Sequence, residues 1–450
     1  MAKHATLLGA GLVGSLLAVY LRRRGYAVDV YERRPDLRKA GAYGGRSINL
    51  ALSDRGFRAL EAVGLADEVR QVGIPMYGRM MHDEKGQLSY QAYGKEGQAI
   101  YSVSRGGLNF KMMDLAEAEG ARLHFLMRST EVDLTEKIVH FEKDDTRQRM
   151  SVPYELLFGS DGAFSALRGS LQKRDRFDYS QDYLSAGYKE LTIPGGPNGE
   201  FLMEKNALHI WPRGSYMMIA LPNPDGSFTC TLFFPFEGPD SFASLQTREQ
   251  VAAFFDRVFP DAVPLMPTLL DDYFNNPTSS LVTVKCSPWT ADSAALIGDA
   301  AHAIVPFYGQ GMNCGFEDVY VLNQLIDAYQ EDWSQILPAY QASRKPDGDA
   351  IADLAKANFI EMRDKVADPD FLLRKKIEAR IHQLYPQKWV PLYTMVTFSP
   401  DIRYSEALRL GQVQDTLMDK VMAREGIREH WENDENMAFI HDLMAQYDRQ

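Results

Sequence analysis

The start of the chain alternates between apolar runs and a glycine-rich turn. Residues 5–8 have the apolar pattern of a buried strand, and residues 12–21 continue with apolar positions that favour a helix. Residues 28–31 have a second strand pattern, which ends at Glu32. The order strand, turn, helix, strand predicts a βαβ unit at the N-terminus.

Two later segments repeat the step from an apolar strand into an acidic or glycine-rich turn. Residues 155–158 are a strand pattern followed by Asp161, and residues 294–297 are another followed by Asp299. Between residues 183 and 283 apolar and polar positions alternate, which predicts an antiparallel sheet. Beyond residue 346 the apolar spacing becomes helical.

These patterns predict an α/β protein with a Rossmann-like nucleotide domain, an inserted antiparallel substrate sheet and a C-terminal helical region. Each part is assigned from the change of periodicity along the chain. The predicted domains are residues 1–75, 99–182 and 284–345 for nucleotide binding, residues 76–98 and 183–283 for the substrate domain, and residues 346–450 for helices that cover the active site.

Composition narrows the class of protein. A chain of 450 residues with 45% hydrophobic residues can form two or three domains with large cores. The net charge of −12 argues against nucleic acid or an anionic membrane as the main partner. Cys230, Cys286 and Cys314 are odd in number and widely spaced, and the histidines lack ligand spacing, so we expect no disulfide framework, no metal and a cytoplasmic location. No membrane anchor is expected, and the oligomeric state is open, a homodimer included.

The first turn has the residues of a dinucleotide fingerprint. Gly9 and Gly11 allow a sharp turn and close approach of the backbone to a pyrophosphate, and Gly14 allows the helix to pack on the strand. Glu32 is placed to accept hydrogen bonds from a ribose diol. A sequence pattern of this kind is shared by many nucleotide enzymes.

The later turns point to FAD in particular. Asp299 ends a strand and is placed to hold ribityl hydroxyls, and Asp161 belongs to a similar strand, acid and glycine sequence. A glycine-rich loop then enters a helix through Gly311, Met312 and Asn313. The helix N-terminus supplies N–H groups and partial positive charge, which would favour the anionic reduced flavin.

With these three segments in this order, the chain resembles the class A, single-component flavoprotein aromatic hydroxylases, the family of p-hydroxybenzoate hydroxylase, over residues 3–345. The resemblance implies that Arg46 and Arg105 contact the flavin. It also implies that NADPH is the transient reductant, docking without a second fingerprint, and that O2 is the co-substrate.

Seven further segments carry a finer resemblance: residues 45–53, 78–80, 188–191, 207–212, 306–314, 358–362 and 393–399. In these segments the chain resembles the kynurenine 3-monooxygenase branch of that family. The resemblance implies hydroxylation of L-kynurenine to 3-hydroxy-L-kynurenine through a flavin C4a-hydroperoxide, in a protein of the bacterial type without a membrane tail.

The same resemblance implies roles for individual residues in the substrate site. Arg79 and Tyr93 are expected to bind the amino-acid carboxylate with help from Asn358, because an arginine fork with a tyrosyl hydroxyl suits a carboxylate. Phe307 would line the aromatic pocket, and Gln310 would hydrogen-bond the ketone. Glu361 and Tyr393 would reach the site from the helical region. Tyr308 is assigned no role.

Two other functions remain open at this point. A hydroxylase of another aromatic acid, salicylate-like or anthranilate-like, would use the same flavin segments without needing Arg79, Tyr93 and Asn358 together. A flavin-binding sensor without turnover would keep the cofactor site, although residues 309–313 are intact beside a complete pocket.

Overall fold

A computed structural model describes residues 3–39, 49–94, 97–364 and 368–447, which form strands and helices throughout. The strands are, in chain order, β1 (His4–Leu8), β2 (Ala27–Tyr31), β3 (Asn49–Leu52), β4 (Ile74–Met76), β5 (Gly78–His82), β6 (Leu88–Ala92), β7 (Ile100–Ser104), β8 (Arg122–His124), β9 (Met127–Asp133), β10 (Ile138–Lys143), β11 (Arg149–Pro153), β12 (Leu156–Gly159), β13 (Asp178–Ile193), β14 (Ala207–Arg213), β15 (Tyr216–Pro222), β16 (Phe228–Pro235), β17 (Ser279–Ser287), β18 (Thr290–Ala291) and β19 (Ala294–Leu296). The helices are α1 (Leu12–Arg23), α2 (Asp54–Glu61), α3 (Ala66–Val72), α4 (Arg105–Ala118), α5 (Ala166–Leu171), α6 (Arg248–Val258), α7 (Leu269–Asn275), α8 (Asp299–His302), α9 (Gly311–Ala328), α10 (Trp333–Asp364), α11 (Pro369–Leu384), α12 (Leu392–Phe398), α13 (Tyr404–Met422), α14 (Ile427–His430) and α15 (Asp434–Gln446), with short 3-10 helices at Val263–Leu265 and Pro306–Tyr308.

A six-stranded sheet in the order β18-β19-β12-β1-β2-β8 contains the strands predicted for the nucleotide domain. Its strands are parallel except for the edge strand β18. Leu8 on β1 lies opposite both Tyr31 and Gly159, so β1, β2 and β12 end at the same edge of the sheet. Because ligands of open α/β sheets bind at the carboxyl ends of the strands, this edge is where the predicted turns should act.

A seven-stranded sheet in the order β17-β13-β16-β15-β14-β5-β6 forms the second layer. All of its pairs are antiparallel except β14 with β5, which brings a strand from early in the chain beside the later hairpins. The long strands β13 and β17 continue across the predicted domain boundaries at residues 183 and 283. The division into domains stays a proposal.

The C-terminal region is helical, as predicted. Helix α10 is 32 residues long and runs from the nucleotide domain into this region. Helix α11 begins where the sequence indicates, because the Asp368 side chain accepts hydrogen bonds from the N–H groups of Asp370 and Phe371, with Pro369 in the first turn. None of the helices in the described ranges is both long and apolar enough to cross a membrane.

Six buried charged or ionisable side chains connect α2, α8, α9 and α10, and they are called the buried ion network here. The Arg344 guanidinium donates to Asp318 (2.7 Å), Glu317 (2.9 Å) and Asp347 (2.9 Å). His302 Nε2 lies 2.5 Å from Asp318, and the carboxylate outweighs the effect of burial and holds the pKa of His302 well above its ordinary value. The sixth member is Arg55, which is fully buried and donates to Glu317 over 2.8 Å.

Loss of Arg344 should destabilise the fold strongly. Arg344→Met would leave three buried carboxylates without their shared cation, and breaking a buried ion pair typically costs about 3–5 kcal/mol. We expect a markedly lower midpoint in chemical denaturation, whereas Arg344→Lys should lose less because the charge is retained. Equal midpoints for Arg344→Met and the native protein would contradict this role.

Candidate active site

The glycine turn after β1 has the geometry that close backbone packing requires. Gly9 has a φ of +97°, and its N–H donates to the carbonyl of Tyr31 over 2.7 Å. A Cβ on Gly14 would lie 2.1 Å from the Gly9 carbonyl oxygen. A Cβ on Gly11, in contrast, would have no heavy atom within 4 Å. The open space in front of Gly11 is therefore a cradle that a side chain would fill.

Glu32 follows β2 and is buried beside this turn. Its carboxylate accepts hydrogen bonds from the Ala10 N–H (2.9 Å) and from the Arg34 N–H (2.9 Å) and Nε (2.8 Å). Burial acts to raise the pKa of Glu32, but the hydrogen bonds and charge of Arg34 outweigh it and hold the pKa below its ordinary value. The side chain is thus ionised and held against the turn, and its oxygens are suited to accept ribose hydroxyls.

The two other predicted acids stand at the same edge of the sheet. Asp161 accepts from the Ala166 N–H through Oδ2 (2.7 Å), while its buried Oδ1 has no hydrogen-bond partner among the described residues. Asp299 is exposed at the start of α8. Arg168 connects the two segments, since it follows Asp161 on α5 and donates to the carbonyl of Ala300 over 2.8 Å.

The loop before α9 turns sharply and delivers a helix N-terminus. Gly309 has a φ of +66°, and the first helical hydrogen bond runs from the Cys314 N–H to the Gln310 carbonyl. The N–H groups of Gly311, Met312 and Asn313 therefore precede the first helical bond and have no partner within the helix. The Asn313 side chain holds the loop: it accepts from the Ser53 N–H and donates to the carbonyls of Ala51 and Gly309. Any contact of Asn313 with a cofactor would thus come through its backbone.

These features fit an FAD. An open glycine cradle suits a pyrophosphate, the unpartnered Asp161 Oδ1 suits a hydroxyl donor, and a helix N-terminus suits an anionic ring edge. Arg105 is exposed in the first turn of α4, a helix that contacts the glycine turn because Asn109 donates to the carbonyl of Ala10 over 3.0 Å. Arg46 lies outside the described residues.

A second set of side chains forms an aromatic pocket around Arg79. This arginine is half-buried on β5, and its Nε has no hydrogen-bond partner among the described residues. Its guanidinium carbon lies 4.5 Å from the ring centre of Tyr393 on α12 and 5.5 Å from that of Tyr93. The two tyrosine rings stack with their centres 5.3 Å apart. The arrangement leaves a cation that no carboxylate of the described residues neutralises.

Tyr93 is buried beside this cation. Its hydroxyl is also without a hydrogen-bond partner among the residues that the structure describes. Burial raises the pKa of Tyr93 well above its ordinary value, against the effect of Arg79, so the hydroxyl is neutral and able to donate. Arg79 and Tyr93 thus offer two donors without partners among the described residues, an arrangement that suits an anion such as a carboxylate.

Apolar rings cluster around Phe307, next in sequence to Tyr308. Phe307 stacks on Phe359 of α10 with ring centres 4.3 Å apart and lies 4.9 Å from Phe233 of the large sheet. Asn358, also on α10, donates to the Phe307 carbonyl over 2.8 Å. The amide nitrogen of Asn358 thus positions the Phe307 loop.

Gln310 and Glu361 differ in exposure. Gln310 is 1% exposed, and its Oε1 accepts a hydrogen bond from Tyr404 over 2.8 Å. Glu361 is partly exposed and lies 3.9 Å from Lys375. Glu361 is nevertheless close enough to the pocket that its charge adds to burial in raising the pKa of Tyr308.

Sequence reasoning missed Tyr308. Its ring is buried and stacks on Tyr393 with centres 5.7 Å apart, so it connects the loop before α9 to the C-terminal region. The resemblance implies a role for the neighbouring Phe307 but none for Tyr308. The position of Tyr308 in the sequence, between the expected pocket residues Phe307 and Gln310, is the signal that could have indicated its place in the site.

His302, Cys314 and Asp318 bring three potential metal-ligand atoms within 4.8 Å of one another. The surrounding charges favour an ion pair there instead. The Arg344 guanidinium donates to Asp318 Oδ1 over 2.7 Å and lies 3.4 Å from the Cys314 sulfur. A metal cation would have to share these ligand atoms with the Arg344 guanidinium. We therefore assign His302 and Asp318 to the buried ion network and not to a metal site.

Comparison with known proteins is consistent with this geometry. Residues 4–355 match the family model described as FAD binding domain. The chain is 53% identical to a kynurenine 3-monooxygenase of Flavobacterium psychrophilum, covering 95% of this chain and 96% of the relative. It is 46% identical to the enzyme of that name from Dictyostelium discoideum, covering 93% of each.

Solved structures show the same fold at low identity. The chain is similar to 2-methyl-3-hydroxypyridine-5-carboxylic acid oxygenase, with a TM-score of 0.67 and 20% identity over 82% of this chain and 94% of the other. It is also similar to Pseudomonas aeruginosa PqsL, with a TM-score of 0.65 and 21% identity over 80% and 97%.

Alanine at Gly11 and at Gly14 should have different effects. In Gly11→Ala the new methyl group fits the apo protein but occupies the cradle, and since overpacking costs about 1–3 kcal/mol, we expect FAD affinity to fall roughly tenfold or more. In Gly14→Ala the methyl group would meet the Gly9 carbonyl, so the apo protein itself should melt at lower temperature. Flavin fluorescence titration and apo-protein melting separate the two effects; a Gly11→Ala protein with native FAD affinity would contradict the assignment.

Proposed function

Because the chain belongs to the kynurenine 3-monooxygenase family of FAD-dependent monooxygenases, we propose that it hydroxylates L-kynurenine to 3-hydroxy-L-kynurenine. The observation that carries the proposal is the pair of unpartnered donors, Arg79 Nε and the Tyr93 hydroxyl, in an aromatic pocket. A substrate with a carboxylate and an aryl ring would satisfy both features.

Arg79 and Tyr93 are proposed to bind the amino-acid carboxylate. A partly buried charge is costly to leave unpaired, so a half-buried guanidinium group without a carboxylate partner among the described residues favours an anionic ligand. Tyr93 stacks on Tyr393, and the Arg79 guanidinium carbon lies 4.5 Å from the centre of the same Tyr393 ring, so the two donors come from neighbouring side chains. The carboxylate would therefore fix one end of the substrate and determine which ring carbon is presented for reaction.

Phe307 and Gln310 are proposed to place the other end. The Phe307 ring packs beside the aryl group, while the Gln310 amide hydrogen-bonds the side-chain ketone. Both residues lie in the segment that immediately precedes α9, whose N-terminus is proposed to face the flavin. Orientation of this kind contributes to rate by holding the reacting atoms in place. Glu361, on the rim, and Asn358, which holds the Phe307 loop, are proposed to complete the site.

FAD, reduced by NADPH, supplies the activation of O2 for aromatic hydroxylation when it is bound. The proposed holders are Gly9, Gly11, Gly14, Glu32, Arg46, Arg105, Asp161, Asp299, Gly311, Met312 and Asn313. The chain's own residues orient the substrate and exclude water, which suits an oxygen-activating site. The aryl amine of kynurenine already activates its ring, so no side chain is required to deprotonate the substrate. The three free, buried cysteines support a cytoplasmic location as part of this proposal.

The test of function is NADPH consumption by the FAD-loaded protein with and without L-kynurenine, while H2O2 and hydroxylated product are followed together. We expect stimulation by kynurenine with a matching amount of 3-hydroxykynurenine. Stimulation that yields H2O2 alone would show that kynurenine fits the pocket without being the substrate. No stimulation, followed by turnover of another aromatic acid, would contradict the proposal.

Arg79→Ala should separate substrate binding from cofactor binding. Hydrogen bonds to charged groups contribute about 1.5–3 kcal/mol, so we expect kynurenine to bind roughly ten- to a hundredfold more weakly, with unchanged FAD affinity. Arg149→Ala is a matched control, because Arg149 is 88% exposed on β11. Equal loss of kynurenine and FAD binding in Arg79→Ala would argue that the residue is structural.

A further inference from the structure

Tyr404, at the start of α13 in the C-terminal region, contacts Gln310 in the loop before α9. It is fully buried, and its hydroxyl lies 2.8 Å from Oε1 of Gln310. Burial raises the pKa of Tyr404 well above its ordinary value, so the hydroxyl keeps its proton. No other acceptor for that proton occurs among the described residues, so the hydroxyl donates to the Gln310 oxygen.

The ring of Tyr404 is itself held in place. The guanidinium carbon of Arg55 lies 4.0 Å from the ring centre, in a cation–π contact. Arg55 also donates to main-chain carbonyls just before Tyr404, including those of Ser399 and Ile402. The hydroxyl therefore has a fixed position from which to orient the Gln310 amide.

Orientation matters because the two ends of an amide have opposite hydrogen-bonding character. With Oε1 bound to Tyr404, the amide nitrogen of Gln310 makes no hydrogen bond among the described residues. A flipped amide would present its nitrogen to Tyr404 and leave the tyrosine proton without an acceptor. A buried donor left unsatisfied is disfavoured, so one amide orientation dominates, by roughly tenfold or more.

We infer that Tyr404 is a positioning residue that makes Gln310 an obligate hydrogen-bond donor, so that the site selects substrates with a carbonyl oxygen at that point. This inference rests on the proposed function, in which the Gln310 amide faces the kynurenine ketone. A methylene or a second donor in place of the ketone would leave the amide N–H groups without an acceptor. Sites built to hydrogen-bond a substrate group discriminate against analogues that lack it.

The test compares L-kynurenine with 2-amino-4-(2-aminophenyl)butanoate, in which a methylene group replaces the ketone. Dissociation constants are measured from the change in flavin absorbance of the FAD-loaded protein, so turnover is not required. The native protein should prefer the ketone by at least about tenfold. In Tyr404→Phe, which keeps the ring beneath Arg55, this preference should fall several-fold because the amide is free to turn.

Two further proteins make the result specific. Tyr20→Phe is the matched control, since it also loses a buried hydroxyl donor, to the Ala59 carbonyl (2.6 Å), and the preference should stay within about twofold of native. In a Gln310→Ala background, Tyr404→Phe should cause no further change in preference, because Tyr404 acts through Gln310.

An unchanged preference in Tyr404→Phe, or an equal further loss in the Gln310→Ala background, would overturn the inference. Native protein that binds kynurenine without preferring the ketone would overturn it as well, while leaving the proposed function intact. Native protein that does not bind kynurenine at all would overturn the proposed function itself.

Discussion

Arg55, on α2, is fully buried against α9, α12 and the segment that joins α12 to α13, and its guanidinium group donates hydrogen bonds to all three. It donates to Glu317 and to the main-chain carbonyls of residues 395, 396, 399 and 402. A buried charge is tolerated only when such partners are complete, since desolvation costs several kcal/mol per ion, on the order of the stability of a whole domain. Arg55 therefore connects α12, which carries Tyr393, to α9, which follows the loop that contains Phe307 and Gln310.

This constraint determines how the pocket is built. Arg79 and Tyr93 come from the large sheet and its neighbouring turn, and Phe307 comes from the loop before α9. Tyr393 comes from the C-terminal helices and stacks on both Tyr93 and Tyr308. None of the three regions supplies all of these side chains alone. The buried ion network and the stacked tyrosines therefore fix the positions of the three regions relative to one another. Tyr93, Phe307 and Tyr308 are all buried, and burial of this kind suits chemistry that water would divert.

Local parts of the structure were predictable because their signals are local. The strand at β1, the glycine turn and the cap at Asp368 each depend on neighbours within a few positions along the chain, and the structure has them where the sequence indicates. The parallel pair of β14 and β5 and the contact between Arg55 and Glu317, which are 262 positions apart, depend on the whole fold. No periodicity distinguishes a buried arginine from a solvated one. The resemblance implies a role for Gln310. Its hydrogen bond from Tyr404 joins residues 94 positions apart, and the sequence gives no sign of it.

One pocket, assembled from three parts of the chain, is proposed to bind the substrate through Arg79 and Tyr93 beside the FAD. The most direct test is a crystal structure of the FAD-loaded protein with L-kynurenine. We expect the substrate carboxylate within hydrogen-bond distance of Arg79 and the Tyr93 hydroxyl, with the aryl ring packed against Phe307. A carboxylate bound elsewhere, with Arg79 paired to a carboxylate of the protein, would contradict it.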